Sequence, residues 1–278
     1  MGVLGKDLLD WRRPHTHTKI QFGQSAYWVE DESVAHLYGE ALVELLNYDA
    51  DDYLQACAAL SAALQTEDGE GVVSRIRTLS GLFSSLPLYR LYLPGVELEP
   101  LLLAGADTML AEYYLEEGRG QTEKYLRAAE DILLIQERYA WFLENAFQQA
   151  AFEKKKGQRK TPLAQQMYKN NLEAFVSGVS LGKSPDVDAP QVNIQYAVLE
   201  IDENHHEVVE KLYFDRLADF VYVELMRGLQ RGFVPKRCAN CSRWFLQTPG
   251  ASYNYCDQPA PNSEEGKTCR EVGSSKSF

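Results

Sequence analysis

Four of the five cysteines in the chain stand at Cys238, Cys241, Cys256 and Cys269, and this cluster constrains the fold more than any other feature. A gap of two residues between cysteines lets the backbone make a tight turn that aims both sulfurs at one metal ion, and two further cysteines can complete a tetrahedron. Zinc is the expected cofactor. A redox Cys-x-x-Cys would need a thioredoxin-like βαβ setting and would leave Cys256 and Cys269 without a role. Fourteen residues separate Cys241 from Cys256 and twelve separate Cys256 from Cys269, so the second half lacks a paired knuckle. Four thiolates leave no open coordination position, which points to a structural ion and away from water activation.

With 278 residues, 45% hydrophobic and 24% charged, the chain has ample material for a buried core. Its net charge of -12 is unevenly spread. From Arg231 onward there are seven basic and four acidic residues, a net +3, so the first 230 residues carry -15. An acidic body repels phosphate backbones, and any DNA or RNA would be met by the C-terminal segment. The absence of a signal-peptide pattern, with clustered cysteines, predicts a reducing, cytoplasmic compartment. No apolar run reaches membrane-span length, Leu101–Asp107 being interrupted early, so no membrane association is expected. Met1-Gly2 opens like a myristoylation signal, but Lys6 stands where Ser or Thr is required.

Periodicity predicts a mainly α fold: a helical bundle with a small β-hairpin and a C-terminal zinc knuckle or ribbon-like module. Three segments follow, an acidic helical domain over 1–185, a hairpin plus helix over 186–232, and a zinc-binding module over 233–278. Lys19–Phe22 reads as a strand. Leu37, Ala41, Leu42, Leu45 and Leu46 recur at helical spacing behind Ser33, and further helices are expected over 51–64, 72–83 and 99–115, the last stopped by Gly118 and Gly120. The longest helix, 121–155, carries apolar residues on two seams and is read as the bundle's centre. Thr161-Pro162 restarts a helix to about Val176. Alternation over 192–198 and a second β-rich run over 208–214 mark a hairpin around a long acidic loop. A final helix begins near Asp215 and is expected to stop at Gly228, Gly232 and Pro235.

Other motifs fit plainer roles. Gly182-Lys183-Ser184 imitates a phosphate loop, but Gly178 lies one residue too close. Gly178-x-Ser180-x-Gly182, followed by Asp202 and His205, has the order of a hydrolase, yet no strand-to-helix turn is expected there. A linker is the simpler reading. His15 and His17 share a strand face without a third ligand, His205 and His206 suit a polar hairpin tip, and Asp49, Asp51 and Asp52 suit a helix cap. Lys154, Lys155, Lys156, Arg159 and Lys160 suit a solvated helix end. Cys57, between small apolar residues, suits a buried inert position.

Arg237, Arg243, Trp244, Lys267 and Arg270 surround the cysteines, with Phe245, Tyr253 and Tyr255 among them. Interleaved basic and aromatic side chains suit phosphate contact with base stacking, and suit equally a small module that needs its aromatics as core. Arg237-Cys-Ala-Asn-Cys-Ser-Arg-Trp-Phe245, Tyr255-Cys-Asp257 and Gly266-Lys-Thr-Cys-Arg-Glu271 resemble the C-terminal module of an uncharacterised bacterial family that joins a variable helical region to a four-cysteine zinc element. Over about residues 190–278 the chain is more distantly similar to CGNR-type zinc-finger proteins, although Arg-Glu follows Cys269 where that family has Gly-Asn-Arg. The resemblance implies a regulator contacting nucleic acid through the zinc module. A protein-interaction or scaffold protein with a purely structural zinc is the alternative, and an enzyme using the 178–184 loop a third.

Overall fold

The computed structural model describes residues 18–29, 33–65, 69–83, 111–145, 175, 192–214, 216–251, 253–261, 263 and 266–275. Strands β1 (Thr18–Phe22), β2 (Ala26–Val29) and β3 (His36–Leu37) come first. Helices α1 (Glu40–Asn47), α2 (Asp51–Gln65), α3 (Gly69–Phe83) and α4 (Ala111–Leu134) follow, α4 continuing through a π-helical turn (Ile135–Tyr139) into α5 (Ala140–Leu143). Then come β4 (Ile194–Asp202), β5 (His205–Phe214), α6 (Leu217–Arg231), β6 (Val234–Arg237), β7 (Trp244–Gln247) and α7 (Cys269–Ser275).

The expectation of a mainly α bundle with one small hairpin is overturned. Five strands form an antiparallel sheet in the order β3-β2-β1-β5-β4, and β6 and β7 form a second sheet. The hairpin β4–β5 does form, with Ala197 opposite Val209, but β5 has another neighbour: β1 pairs with it, placing Ile20 opposite Leu212. β1 in turn pairs with β2, Phe22 opposite Tyr27. The four residues of β2, Ala-Tyr-Trp-Val, are all buried, so the strand has no alternating pattern to announce it. A two-residue turn at Glu203-Asn204 replaces the expected acidic loop, and Asp202 caps it by accepting the Asn204 N–H at 2.9 Å.

By compactness the chain divides into two units, Met1–Ala35 with Tyr48–Ile132 and Gln191–Phe220, and His36–Asn47 with Leu133–Pro190 and Val221–Phe278. In the first, Phe22 lies against Tyr27, Phe214 and Phe220, with ring centroids 5.8, 6.2 and 6.4 Å away. The other sheet face buries Ala26, Trp28 and Val209 beneath Ala197 and Leu199. Tyr53 and Cys57, one turn apart on α2, both donate to the Tyr125 carbonyl, at 2.9 and 3.6 Å. Burial pushes the Cys57 thiol up to about 12, in keeping with an inert buried cysteine. The fully buried carboxylate of Asp131 pairs with Arg216 and accepts the Ala218 N–H at 3.2 Å, capping α6. Burial raises its pKa against the opposing pull of the guanidinium.

In the second unit, Glu224 of α6 is fully buried, and its two carboxylate oxygens accept the Ala41 and Leu42 N–H groups at 3.0 and 3.2 Å. Gln136 in the π-helical turn donates to the Leu45 carbonyl at 3.0 Å, and Phe142 stacks on Phe175 with centroids 4.4 Å apart. α6 runs through Gly228, where a Cβ would come within 3.2 Å of the Tyr38 side chain, so this glycine serves close packing and does not end the helix. The end comes at Gly232, φ +89°: its N–H bonds to Leu229 O at 3.1 Å and the Phe233 N–H to Gly228 O at 2.9 Å. This pair is a Schellman cap, which a left-handed glycine completes. α4 likewise passes through Gly118 and Gly120 without stopping. The helix expected to begin near Ser33 starts only at Glu40, after β3. Most of the region expected to be helical over 161–176, His15, His17, the 154–160 basic run and the 178–184 loop lie outside the described residues.

Candidate metal centre

The four clustered cysteines come from three local structures. Cys238 and Cys241 sit in the turn joining β6 to β7, the tight knuckle that two-residue spacing calls for. The Cys238 N–H bonds to Arg243 O at 2.8 Å and the Ser242 N–H to Cys238 O at 3.0 Å, closing the turn from both sides. Ser242 takes φ 61° to do so. The strand pair behind the turn is held laterally by Asn47, the last residue of α1. Its side-chain amide donates to Trp244 O and accepts from Trp244 N–H, both at 2.9 Å, as a neighbouring strand would.

Cys256 and Cys269 are brought together by a short antiparallel ladder in place of a second knuckle. The Ala260 N–H bonds to Lys267 O and the Cys269 N–H to Gln258 O, each at 2.9 Å, and the Arg270 N–H bonds to Cys256 O at 3.0 Å. This ladder makes the twelve-residue spacing compatible with adjacent sulfurs. Cys269 opens α7. Thr268 caps this helix in a reciprocal box: its Oγ1 accepts the Glu271 N–H at 3.3 Å while Glu271 Oε2 accepts the Thr268 N–H at 2.7 Å. The Thr268 N–H, and after it the Thr268 hydroxyl, donate to the Glu271 carboxylate and lower its pKa.

All four sulfurs lie within 4.8 Å of one another, close enough to hold a metal ion. Cys238, Cys256 and Cys269 are buried and Cys241 is half-buried. A tetrahedral ion with metal–sulfur bonds near 2.3 Å requires sulfurs about 3.8 Å apart, and the Cys241–Cys256 distance of 3.6 Å meets that requirement. It is far too long for a disulfide, whose sulfurs are about 2.05 Å apart, and all five cysteines are free. Donors surround the cluster: the Cys256 N–H points at Cys238 Sγ, 3.4 Å, and Asn240 Nδ2 at Cys269 Sγ, 3.3 Å. Burial opposes the Cys238 thiolate, but N–H donors from Cys256, Cys241 and Asn240 outweigh it and bring that thiol down to about 7. Burial pushes Cys256 and Cys269 up, which favours their neutral forms until a cation is present.

The surrounding residues divide into two groups. Arg237 pairs with Glu144, donates to Ser242 O at 3.1 Å and lies over the Trp244 ring at 4.7 Å. Trp244 is buried. Arg270 lies over the Tyr253 ring at 3.9 Å and pairs with Asp257 at 2.7 Å. These three side chains thus take part in the module's own packing, as do Phe245 and Tyr253, stacked at 5.8 Å. Arg243 and Lys267 are exposed, as is Arg237. Elsewhere, His205 and His206 pair across the hairpin with Asp202 and Glu200, and no second metal-holding group of three or more ligands occurs among the described residues. Asp49 accepts the Asp51 N–H at 3.3 Å, and Asp51 and Asp52 occupy the first turn of α2, a helix start as their spacing suggested.

Two positioning features were not anticipated from the letters. The Thr268-x-x-Glu271 pattern carries a capping-box signature and could have been found. Asn47 could not, because its contact with Trp244 spans nearly two hundred residues.

A family model described as a family of unknown function (DUF6076) matches residues 185–278, from just ahead of β4 through the four cysteines. No similarity to CGNR-type proteins accompanies it. No curated protein and no solved structure matches the chain. Among the described residues no helix is long and apolar enough to cross a membrane.

Proposed function

We propose that Cys238, Cys241, Cys256 and Cys269 hold one zinc ion as a structural centre, and that the chain is an interaction protein whose C-terminal module the ion keeps folded. The observation that carries this reading is the approach of four sulfurs to within 4.8 Å, three of them buried in a cluster that, among the described residues, otherwise buries Phe245 and Ala260. Soft thiolate ligands in a compact four-sulfur set suit zinc better than a hard cation. With all four positions taken by protein, no site is left for a substrate or an activated water, so the ion's contribution is folding free energy. The engagement of Arg237, Trp244 and Arg270 within the module supports the interaction reading over nucleic-acid contact.

Contact with DNA or RNA is a second reading, favoured by the exposure of Arg243 and Lys267 on a segment of net charge +3. Elemental analysis of purified protein tests the first reading: about one zinc per chain is expected, and a content far below that would defeat it. Binding to a labelled duplex tests the second. A salt-dependent affinity that falls in the Arg243→Ala, Lys267→Ala double variant would favour it over the interaction reading.

A further inference from the structure

β4 is the outer strand in the order β3-β2-β1-β5-β4, so among the described residues one of its edges has no strand beside it. The two edges of this sheet are unlike. β3 at the far side is only two residues long, whereas β4 runs for nine, about 30 Å of ladder. Proteins usually blunt such an edge with proline, lysine or an early bulge. Residues 194–199, Ile-Gln-Tyr-Ala-Val-Leu, contain none of these, and the register irregularity falls only between Glu200 and Asp202.

The strand also presents an apolar row. Ile194, Tyr196 and Val198 are 48%, 71% and 67% exposed and share one sheet face by their spacing of two. Val208, directly opposite Val198 on β5, is 67% exposed and widens the row. Isolated exposed apolar residues need no explanation, but three in a row on the outer strand, with Val208 of β5 beside them, mark a docking surface. At the hairpin end of the row the charge is one-sided: residues 194–210 hold five acids and no lysine or arginine, with Glu200, Asp202 and Glu203 exposed.

We propose that β4 is the docking edge for an extended segment of a partner protein, which adds a sixth strand through main-chain hydrogen bonds. Alternate side chains of that segment are β-branched or aromatic and continue the Ile194–Tyr196–Val198 row, and lysine or arginine at one end meets Glu200, Asp202 and Glu203. Backbone pairing supplies affinity in such strand addition, while the alternate pockets and the terminal charges supply choice of partner. A second copy is the poorer occupant, because it would bring together two chains of net charge -12. The inference rests on the interaction reading above and names its partner class, but it does not depend on the metal.

The test is selection of random nine-residue displayed peptides on the full-length, zinc-loaded chain, followed by affinity measurement on synthetic peptides. Enriched sequences should alternate apolar residues and carry net positive charge at one end. Their affinity should fall at least tenfold on Tyr196→Lys or Val198→Lys, and again on Glu200→Lys with Glu203→Lys. Both row positions are exposed, so these variants should keep the wild-type melting transition, and either one suffices. Failure to enrich any sequence, enrichment without positive charge, or undiminished binding to both row variants would overturn the proposal. A wild-type dimer in sedimentation, converted to monomer by Tyr196→Lys, would also overturn it by assigning the edge to a second copy. Zinc content measured on the same samples separates the outcomes: peptide binding at low zinc would sink the metal reading alone, and full zinc without binding would sink the docking reading alone.

Discussion

The carboxylate of Glu224 accepts the backbone N–H groups of Ala41 and Leu42, reaching from the middle of one helix to the first turn of another 183 residues earlier. Helix starts leave N–H groups without intrahelical acceptors, and in buried surroundings water does not replace them. A negative charge there also complements the helix dipole. Glu224→Ala should therefore lower unfolding free energy by about 2–4 kcal/mol, two buried donors losing one acceptor each. Urea unfolding should show a lower midpoint at unchanged slope. Glu224→Gln, which keeps an oxygen but not the charge, should lose less, and equal loss in the two variants would count against the charge contributing.

Removing the metal should unfold the C-terminal module. Cys256 and Cys269 are joined through a short ladder and a helix of only seven residues, and the apolar cluster around them contains few buried residues besides the cysteines, among them Phe245 and Ala260. Small modules of this kind do not supply enough buried area by themselves. Incubation with a strong chelator should expose Trp244, now buried, and shift its fluorescence to the red. Cys256→Ser should produce the same spectrum without chelator. A chelated protein with unchanged tryptophan emission would show that the module folds without an ion.

What could be read from the letters was mostly local. The two-residue spacing of Cys238 and Cys241 dictates a knuckle, and the β-rich run from Val208 to Phe214 reads as a strand. The partners of that strand were hidden because β1 lies about 190 residues away and β2 is buried at all four positions. Pairing of that range depends on which chain segments meet, which no window of residues records. Glycine misled in a similar way. Gly118, Gly120 and Gly228 all have the weak helix preference that suggests a stop, yet the helices run through all three, and at Gly228 the approach of Tyr38 supplies a packing reason. The second pair of cysteines was legible as a pair but not as a structure, because the ladder between Cys256–Ala260 and Lys267–Arg270 uses backbone groups alone.

Ser242 holds φ at 61° in the turn between Cys241 and Trp244. This left-handed conformation costs a residue with a side chain about 1 kcal/mol and costs glycine almost nothing. Glycine also loses more freedom on folding, which offsets part of the gain. Ser242→Gly should raise stability by about 0.5 kcal/mol, the difference of these opposed effects, and should leave zinc content unchanged. Thermal unfolding of the zinc-loaded protein measures it. A melting temperature lowered by the change would mean that the serine side chain contributes an interaction outweighing the strain.

Glu40 links stability to acid pH. A hydrogen bond with His36 is the largest influence holding its pKa below the ordinary value; partial burial opposes this, and the Leu37 N–H, bonded to Glu40 Oε2 at 3.0 Å, adds to the lowering. A carboxyl whose folded pKa is depressed gives its full stabilisation above the unfolded pKa and loses it as pH falls through the folded one. Nearly half of the Glu40 side chain is exposed, so solvent screening keeps the effect small, under about 1 kcal/mol. Comparing wild type with Glu40→Gln in urea, the wild type should be the more stable at about pH 5.5. The gap should close as the pH is lowered past the unfolded carboxyl value, about 4.3. A gap that stays constant through the acid range would mean that Glu40 acts through shape and packing and that its charge contributes nothing.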